Sequence, residues 1–235
     1  MRRFAGIFLL LLFTAPLHAG ATDVAKLYSA LREKILAVKD YTADVKMKID
    51  ISYMKIPQLK GVLYFKSPDK MRLERNGGIS LLPKKNINLT LSNLIPSGQV
   101  TVIDVGEATL EGKMVRVLKV IPEDDLGNIV LTKMWVDEAS LLALRTETTT
   151  RNDGTVIMDL SFGKYSSYAL PDKVIIHMDI KDYKLPQGVT MDYNTPPAAP
   201  ATAKTKKSQK GTIQISYLKY TINTGIPDDK FKGKE

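Results

Sequence analysis

The chain has no cysteine, one tryptophan and two histidines, and no apolar run long enough to cross a membrane as a helix. Each lack closes off a class of function. Without cysteine there is no disulfide, no thiol nucleophile and no thiol to carry a lipid anchor. Of the histidines, His18 lies in the leader segment described below, which leaves His177 alone. One imidazole cannot build a multi-histidine metal site, and no GxSxG, P-loop or HExxH motif is present. His177 sits between Ile176 and Met178 in a strand pattern and reads as an outward-facing strand residue. Glu123, Asp124 and Asp125 are adjacent rather than spaced, whereas calcium loops need spaced ligands and a distal glutamate. Carboxylates are plentiful, but spacing singles out no pair. The chain is therefore expected to be no enzyme, with no catalytic residue, no metal and no cofactor.

The N-terminus opens with Arg2 and Arg3, continues with an apolar run from Ile7 to Phe13, and reaches small residues around Ala19-Gly20-Ala21. That order is a secretory signal peptide, expected over residues 1–21. Removing it deletes two arginines and no acids, so the formal charge falls from +9 to 34 − 2 − 25 = +7. A basic surface attracts anionic lipid head groups or acidic partners. An exported protein rarely meets nucleic acid, so no nucleic-acid partner is expected. Export without an anchor points to a soluble periplasmic protein.

What the chain does have is alternation. Tyr41, Ala43, Val45, Met47, Ile49, Ile51 and Tyr53 are apolar, while Thr42, Asp44, Lys46, Lys48, Asp50 and Ser52 between them are polar. Side chains alternate faces along a strand, so this is one long strand with an apolar and a polar face, about 43 Å from end to end. Strands follow over 59–66 and 70–75, joined by Ser67-Pro68-Asp69. Before them, Val24, Leu27, Tyr28, Leu31, Ile35 and Val38 recur at helical spacing. This predicts an amphipathic helix over 23–39, capped by Thr22 or Asp23.

Further strands are expected over 100–105, 113–121, 129–137, 141–151, 155–165, 173–183 and 213–221, with Asn152-Asp153-Gly154 as a strong hairpin turn. Ile87, Leu89 and Leu91 alternate with polar residues and could form a strand or an apolar loop. Residues 194–211 are rich in proline, alanine and lysine without periodicity and are expected to be a mobile loop. The fold class is mainly β (α+β). The expected architecture is a strongly curved antiparallel sheet or open β-barrel, with the helix covering its concave apolar face.

The stretch from Leu59 to Glu74 resembles the G-x-L-x-x-K-x-P-x-x-F-R-W segment of periplasmic outer-membrane lipoprotein carriers, the LolA/LolB-like family. Gly61, Leu63, Lys66, Pro68 and Arg72 match, and Met71 and Leu73 stand for the usual aromatics. Trp135-Val136-Asp137 through Leu144-Arg145 is similar to a second family segment, as is Asn223 to Phe231. Ser67 departs from the arginine those carriers often place before the proline, and the family's D-G-x-x-x-W-x-Y-x-P stretch is missing after the third strand.

The resemblance implies one domain of this type over 22–235, with a hydrophobic cavity for acyl chains. It makes Gly61, Pro68, Arg72 and Trp135 structural. The implied function is a soluble periplasmic carrier, expected to be a monomer, that takes acylated lipoprotein or lipid cargo between inner- and outer-membrane transfer partners. The alternative is a lipid- or lipoprotein-sensing module that regulates a membrane signalling partner. Shared strand faces nominate Val45, Met47, Ile49, Ile51, Leu63, Phe65, Met158, Leu160 and Phe162 as the cavity lining. Moving an acyl chain through water exposes its methylenes at about 0.8 kcal/mol each, so such a lining shields cargo without any chemistry. Arg72 lies between Met71 and Leu73 and is expected on the other face, paired with a carboxylate or backbone carbonyl.

Overall fold

A computed structural model describes residues 23–51, 54–55, 57–75, 95–96, 98–124, 127–151, 154–179 and 210–231. The expected signal peptide over 1–21, the alternating run 87–91 and nearly all of segment 194–211 lie outside the described residues. So do the side chains of Ile51 and Met178.

Helix α1 spans Val24–Leu36. Asp23 caps it, its side chain accepting from the Lys26 backbone N–H at 3.2 Å. The eleven strands are β1 (Asp40–Ile51), β2 (Met54–Lys55), β3 (Leu59–Lys66), β4 (Lys70–Arg75), β5 (Val100–Leu110), β6 (Lys113–Pro122), β7 (Ile129–Asp137), β8 (Leu142–Thr150), β9 (Gly154–Ser161), β10 (Lys173–Asp179) and β11 (Lys210–Ile222). Short 3₁₀ turns occupy Ser166–Tyr168 and Asp228–Phe231.

Ten strands form one open, curved antiparallel sheet in the order β4-β3-β1-β11-β10-β9-β8-β7-β6-β5, with β2 paired to β1 alone. The last strand thus lies between the first and the tenth. Alternation sets the faces. Ile49 stands opposite Ile213 and Met47 opposite Ile215. Ile176 and Val174 follow on β10, and Met158 and Leu160 on β9. On the far half Met134 faces Leu118 across the β6–β7 pair. One apolar face therefore runs across the sheet, and α1 lies on it.

The helix sits farther from β1 than its place in the sequence suggests. Leu27, Tyr28, Leu31 and Ile35 pack with Leu118 and Val120 of β6, Met134 and Val136 of β7, and Leu142 and Ala143 of β8. Val38, expected on the helical stripe, lies beyond the last turn and joins the other half of the core, with Tyr41, Ala43, Leu63 and Ile176. Two residues of the loop expected over 194–211 belong to β11 instead. Lys210 and Gly211 already pair with Asp179 and Met178, because the β10 ladder extends past the proline-rich stretch.

Register shifts at four places interrupt the alternation, two of them in the β7–β8 pair, at Val130 and Leu144. In β11, Val45 pairs with Tyr217 and Asp44 with Lys219, so Leu218 is an extra residue between them and is left exposed. In β5 the shift falls between Asp104 and Gly106, where Gly106 takes φ +103°.

Candidate lipid-binding face

Val45, Met47 and Ile49 of β1 and Leu63 and Phe65 of β3 fall in one apolar cluster with Met158, Leu160 and Phe162. Eight of the nine nominated lining residues are thus brought together. Ile51 belongs to the same strand, but its side chain lies outside the described residues. Burial is graded along β1. Tyr41, Ala43 and Val45 are buried, while Met47 and Ile49 are only partly so.

The buried end is aromatic. Tyr41 stacks on Phe65 with ring centroids 5.0 Å apart. Tyr220 meets Tyr41 edge-on at 5.3 Å, Tyr165 edge-on at 5.0 Å and Tyr217 in a stack at 5.2 Å. The Tyr220 hydroxyl donates to the Pro171 carbonyl at 2.7 Å. Burial pushes the Tyr220 phenol far above its ordinary range, with the neighbouring tyrosines adding to the effect. These rings close one end of the apolar face with groups that stay neutral.

The structural motif residues lie around the β3–β4 edge. Gly61 is inner-facing between Val45 of β1 and Arg75 of β4. A Cβ there would fall 2.4 Å from the Glu74 carbonyl oxygen, so only glycine lets β4 approach. Pro68 lies in the turn between β3 and β4, where the Ser67 backbone N–H donates to the Lys39 carbonyl at 2.7 Å. Arg72 sits on the face opposite Leu73, donates to the Lys230 carbonyl at 2.8 Å and meets Glu74 at 3.1 Å. It therefore ties β4 to the C-terminal turn. Lys66 and Lys70 reach Asp228 in the same turn at 2.6 and 2.8 Å. Those two lysines hold the Asp228 carboxyl down at about 2.

Trp135 stands apart from this edge, on β7 and on the face opposite Met134. Its ring lies 4.5 Å below the Lys133 ammonium and 5.9 Å from the Arg145 guanidinium. His177 is also on the outer face, with Nε2 2.8 Å from Asp159 Oδ2. Burial raises the Asp159 carboxyl, but hydrogen bonds from Arg145 and His177 outweigh it and hold the group below its usual range. The trio is a surface strut that joins β8, β9 and β10. Among the described residues, no group of three or more His, Cys, Asp or Glu is placed to hold a metal ion. No described helix is long and apolar enough to cross a membrane.

A wide open sheet, one helix on its apolar face and the C-terminal turn strapped over the outer edge together define a known architecture. The fold is that of the LolA-like lipoprotein-sorting proteins. A LolA superfamily protein from Nitrosomonas europaea matches with a TM-score of 0.51 at 8% identity, over 88% of this chain and 96% of that one. A domain described as outer membrane lipoprotein-sorting, from Vibrio parahaemolyticus, matches with a TM-score of 0.53 at 10% identity, over 88% of this chain and 94% of that one. No family model and no curated protein sequence matches the chain. At such identity the LolA-like likeness is one of fold.

One set of inner-face residues escaped sequence reasoning. Thr132, Thr146 and Thr148 are fully enclosed on the same face as the apolar clusters. In the run Thr146-Glu147-Thr148-Thr149-Thr150, hydroxyls occur on both faces, so polarity could not mark which ones point inward. The available signal was register with Met134 and Met158.

Proposed function

We propose that the protein is a periplasmic carrier that shields acyl chains of a lipoprotein or related lipid on the inner face of its sheet and moves them toward the outer membrane. The observation that supports this reading is the breadth of the apolar face against the size of its cover. Ten strands at about 4.8 Å spacing span roughly 43 Å from edge to edge. A helix is about 10 Å wide with its side chains, and α1 packs on β5 to β8. The half built on β1, β3, β9, β10 and β11 carries a second apolar cluster, to which no residue of α1 belongs. An acyl chain is a suitable occupant, because its burial is favourable by about 0.8 kcal/mol per methylene. Met47 and Met158 suit such a lining, since thioether chains adapt to varied shapes. The signal peptide fits a periplasmic role, and a carrier of this kind exchanges cargo with inner- and outer-membrane partners.

The test is binding of a dansyl-labelled fatty acid to delipidated protein, with native mass spectrometry of protein purified from its own periplasm. Saturable binding by the parent and its loss in Ile49→Asp, with circular dichroism showing that the variant folds, are expected. Absence of binding by the parent, together with no co-purifying lipid or acylated peptide, would overturn the reading.

A further inference from the structure

Three threonines cross the inner face between its two apolar clusters. Thr132 on β7 and Thr146 and Thr148 on β8 are each 0% exposed. Thr148 stands opposite Thr132, and Thr146 stands opposite Met134 of the helix-covered half. On the other side, Thr146 stands opposite Met158 and Thr148 opposite Val156, both in the cluster proposed to hold acyl chains. The Thr132 and Thr148 hydroxyls lie 3.3 Å apart. The Thr146 hydroxyl is enclosed and has no hydrogen-bond partner. Two further enclosed hydroxyls without a partner are that of Tyr28 on α1, which packs on this half of the sheet, and that of Ser140 in the turn before β8.

An enclosed donor without a partner destabilises a fold, whereas a methyl group of the same shape does not. Valine would therefore serve packing better at position 146. Thr146 and Tyr28 are hydroxyl donors on elements that bound the helix-covered side of the proposed lipid site. A carbonyl oxygen has two lone pairs and needs such donors once it leaves water.

We propose that Thr146, beside the Thr132–Thr148 pair, binds the ester carbonyl of the cargo, so that the site selects ester-linked acyl chains over hydrocarbon chains without a carbonyl. This rests on the acyl-binding reading above and adds the position and chemistry of the linkage. An ester is favoured over an amide because it brings an acceptor without an N–H that would itself need a partner. The threonine row is enclosed in this structure. Phe162, partly buried, packs against both of the clusters that flank it.

The test is displacement of a dansyl-labelled fatty acid by dipalmitoylglycerol and by its dihexadecyl ether, which keeps the chains and lacks the carbonyls. The parent should favour the ester by about five-fold, equivalent to about 1 kcal/mol. Thr146→Val should bind the ether like the parent and lose the preference, and without ligand it should melt at or above the parent. Thr146→Ser, which keeps the hydroxyl, should retain the preference. Equal displacement by ester and ether in the parent, with the labelled acid still bound, overturns this assignment and leaves acyl binding standing. Failure of the parent to bind the labelled acid or either glycerol lipid overturns both. Melting of Thr146→Val well below the parent would make the hydroxyl structural and also overturn the proposal.

Discussion

Beneath α1, protein fills the inner face: Leu118, Val120, Met134 and Val136 are each 0% exposed and meet Leu27, Leu31 and Ile35 from the helix. Across the threonine row, the other half is closed at one end by a cluster of tyrosine rings and loosens toward Met47 and Ile49, which are only partly buried. The two halves use the same alternation of apolar and polar residues on the same sheet. They differ in that α1 packs on one of them and not on the other. Periodicity marks which residues leave water, but not whether protein or a ligand meets them there. That distinction can be read from how tolerant each half is to losing side-chain volume.

The sharpest contrast is between Leu118 and Ile49. Leu118→Ala leaves a void under a packed helix and should cost about 2–5 kcal/mol in urea unfolding. A loss below about 1 kcal/mol would mean that the helix-covered half is as loose as the other. Gly61→Ala should come next, at about 1–3 kcal/mol, because its new methyl meets the Glu74 carbonyl and pushes β4 away. Faster amide exchange in β4 than in β8 would locate that damage at the edge of the proposed binding half. Ile49→Ala should cost only about 1 kcal/mol, since a partly exposed side chain gives up fewer fixed neighbours. A loss as large as that of Leu118→Ala would erase the comparison and make both halves filled core.

The smallest effect should come from Asp228, which pins the C-terminal turn through Lys66 and Lys70. Its carboxyl is lowered from 3.8 to about 2 in the folded chain. A depressed acid stabilises the fold above its unfolded value and loses that contribution as pH falls through the folded one. Thermal melts of Asp228→Asn should therefore match the parent near about pH 2 and fall slightly below it above about pH 4. A gap that widens toward low pH would reverse the assigned sign.

How legible each part was depended on how far its pattern was local. The alternation from Tyr41 to Ile51 places β1 and its inner face directly. The 23–39 helix was readable from its stripe, but its partners were not. Leu31 and Ile35 pack on strands about a hundred residues farther along the chain, and the stripe contains nothing that distinguishes those strands from β1. Strand β5 was read as ending at Val105, whereas it runs to Leu110. The bulge before Gly106 shifts the phase by one residue, and a period-two reading stops where the phase breaks. Leu218 misleads in the same way, since it lies within an apolar strand yet faces water because it is the inserted residue. The inward threonines stayed hidden for a different reason. A threonine suits either face of a strand, and only the register with Met134 and Met158 fixes which one.

The central place of β11 also sets an order of events. Among the described strands, β1, β3 and β4 form one set and β5 to β10 another, and β11 alone pairs with both. Tyr41, near the start, finds Ile222, near the end. Until the final strand has been made and delivered, the two sets have no shared ladder and the apolar face has no continuous floor. Assembly therefore waits on the last part of the chain, and such long-range pairing is slow to form. A molecule cut short before residue 210 would hold two separate β-ribbons with open edges, prone to pair with the wrong neighbour. The same late strand that completes the proposed lipid-binding surface thus serves as a length check on the polypeptide.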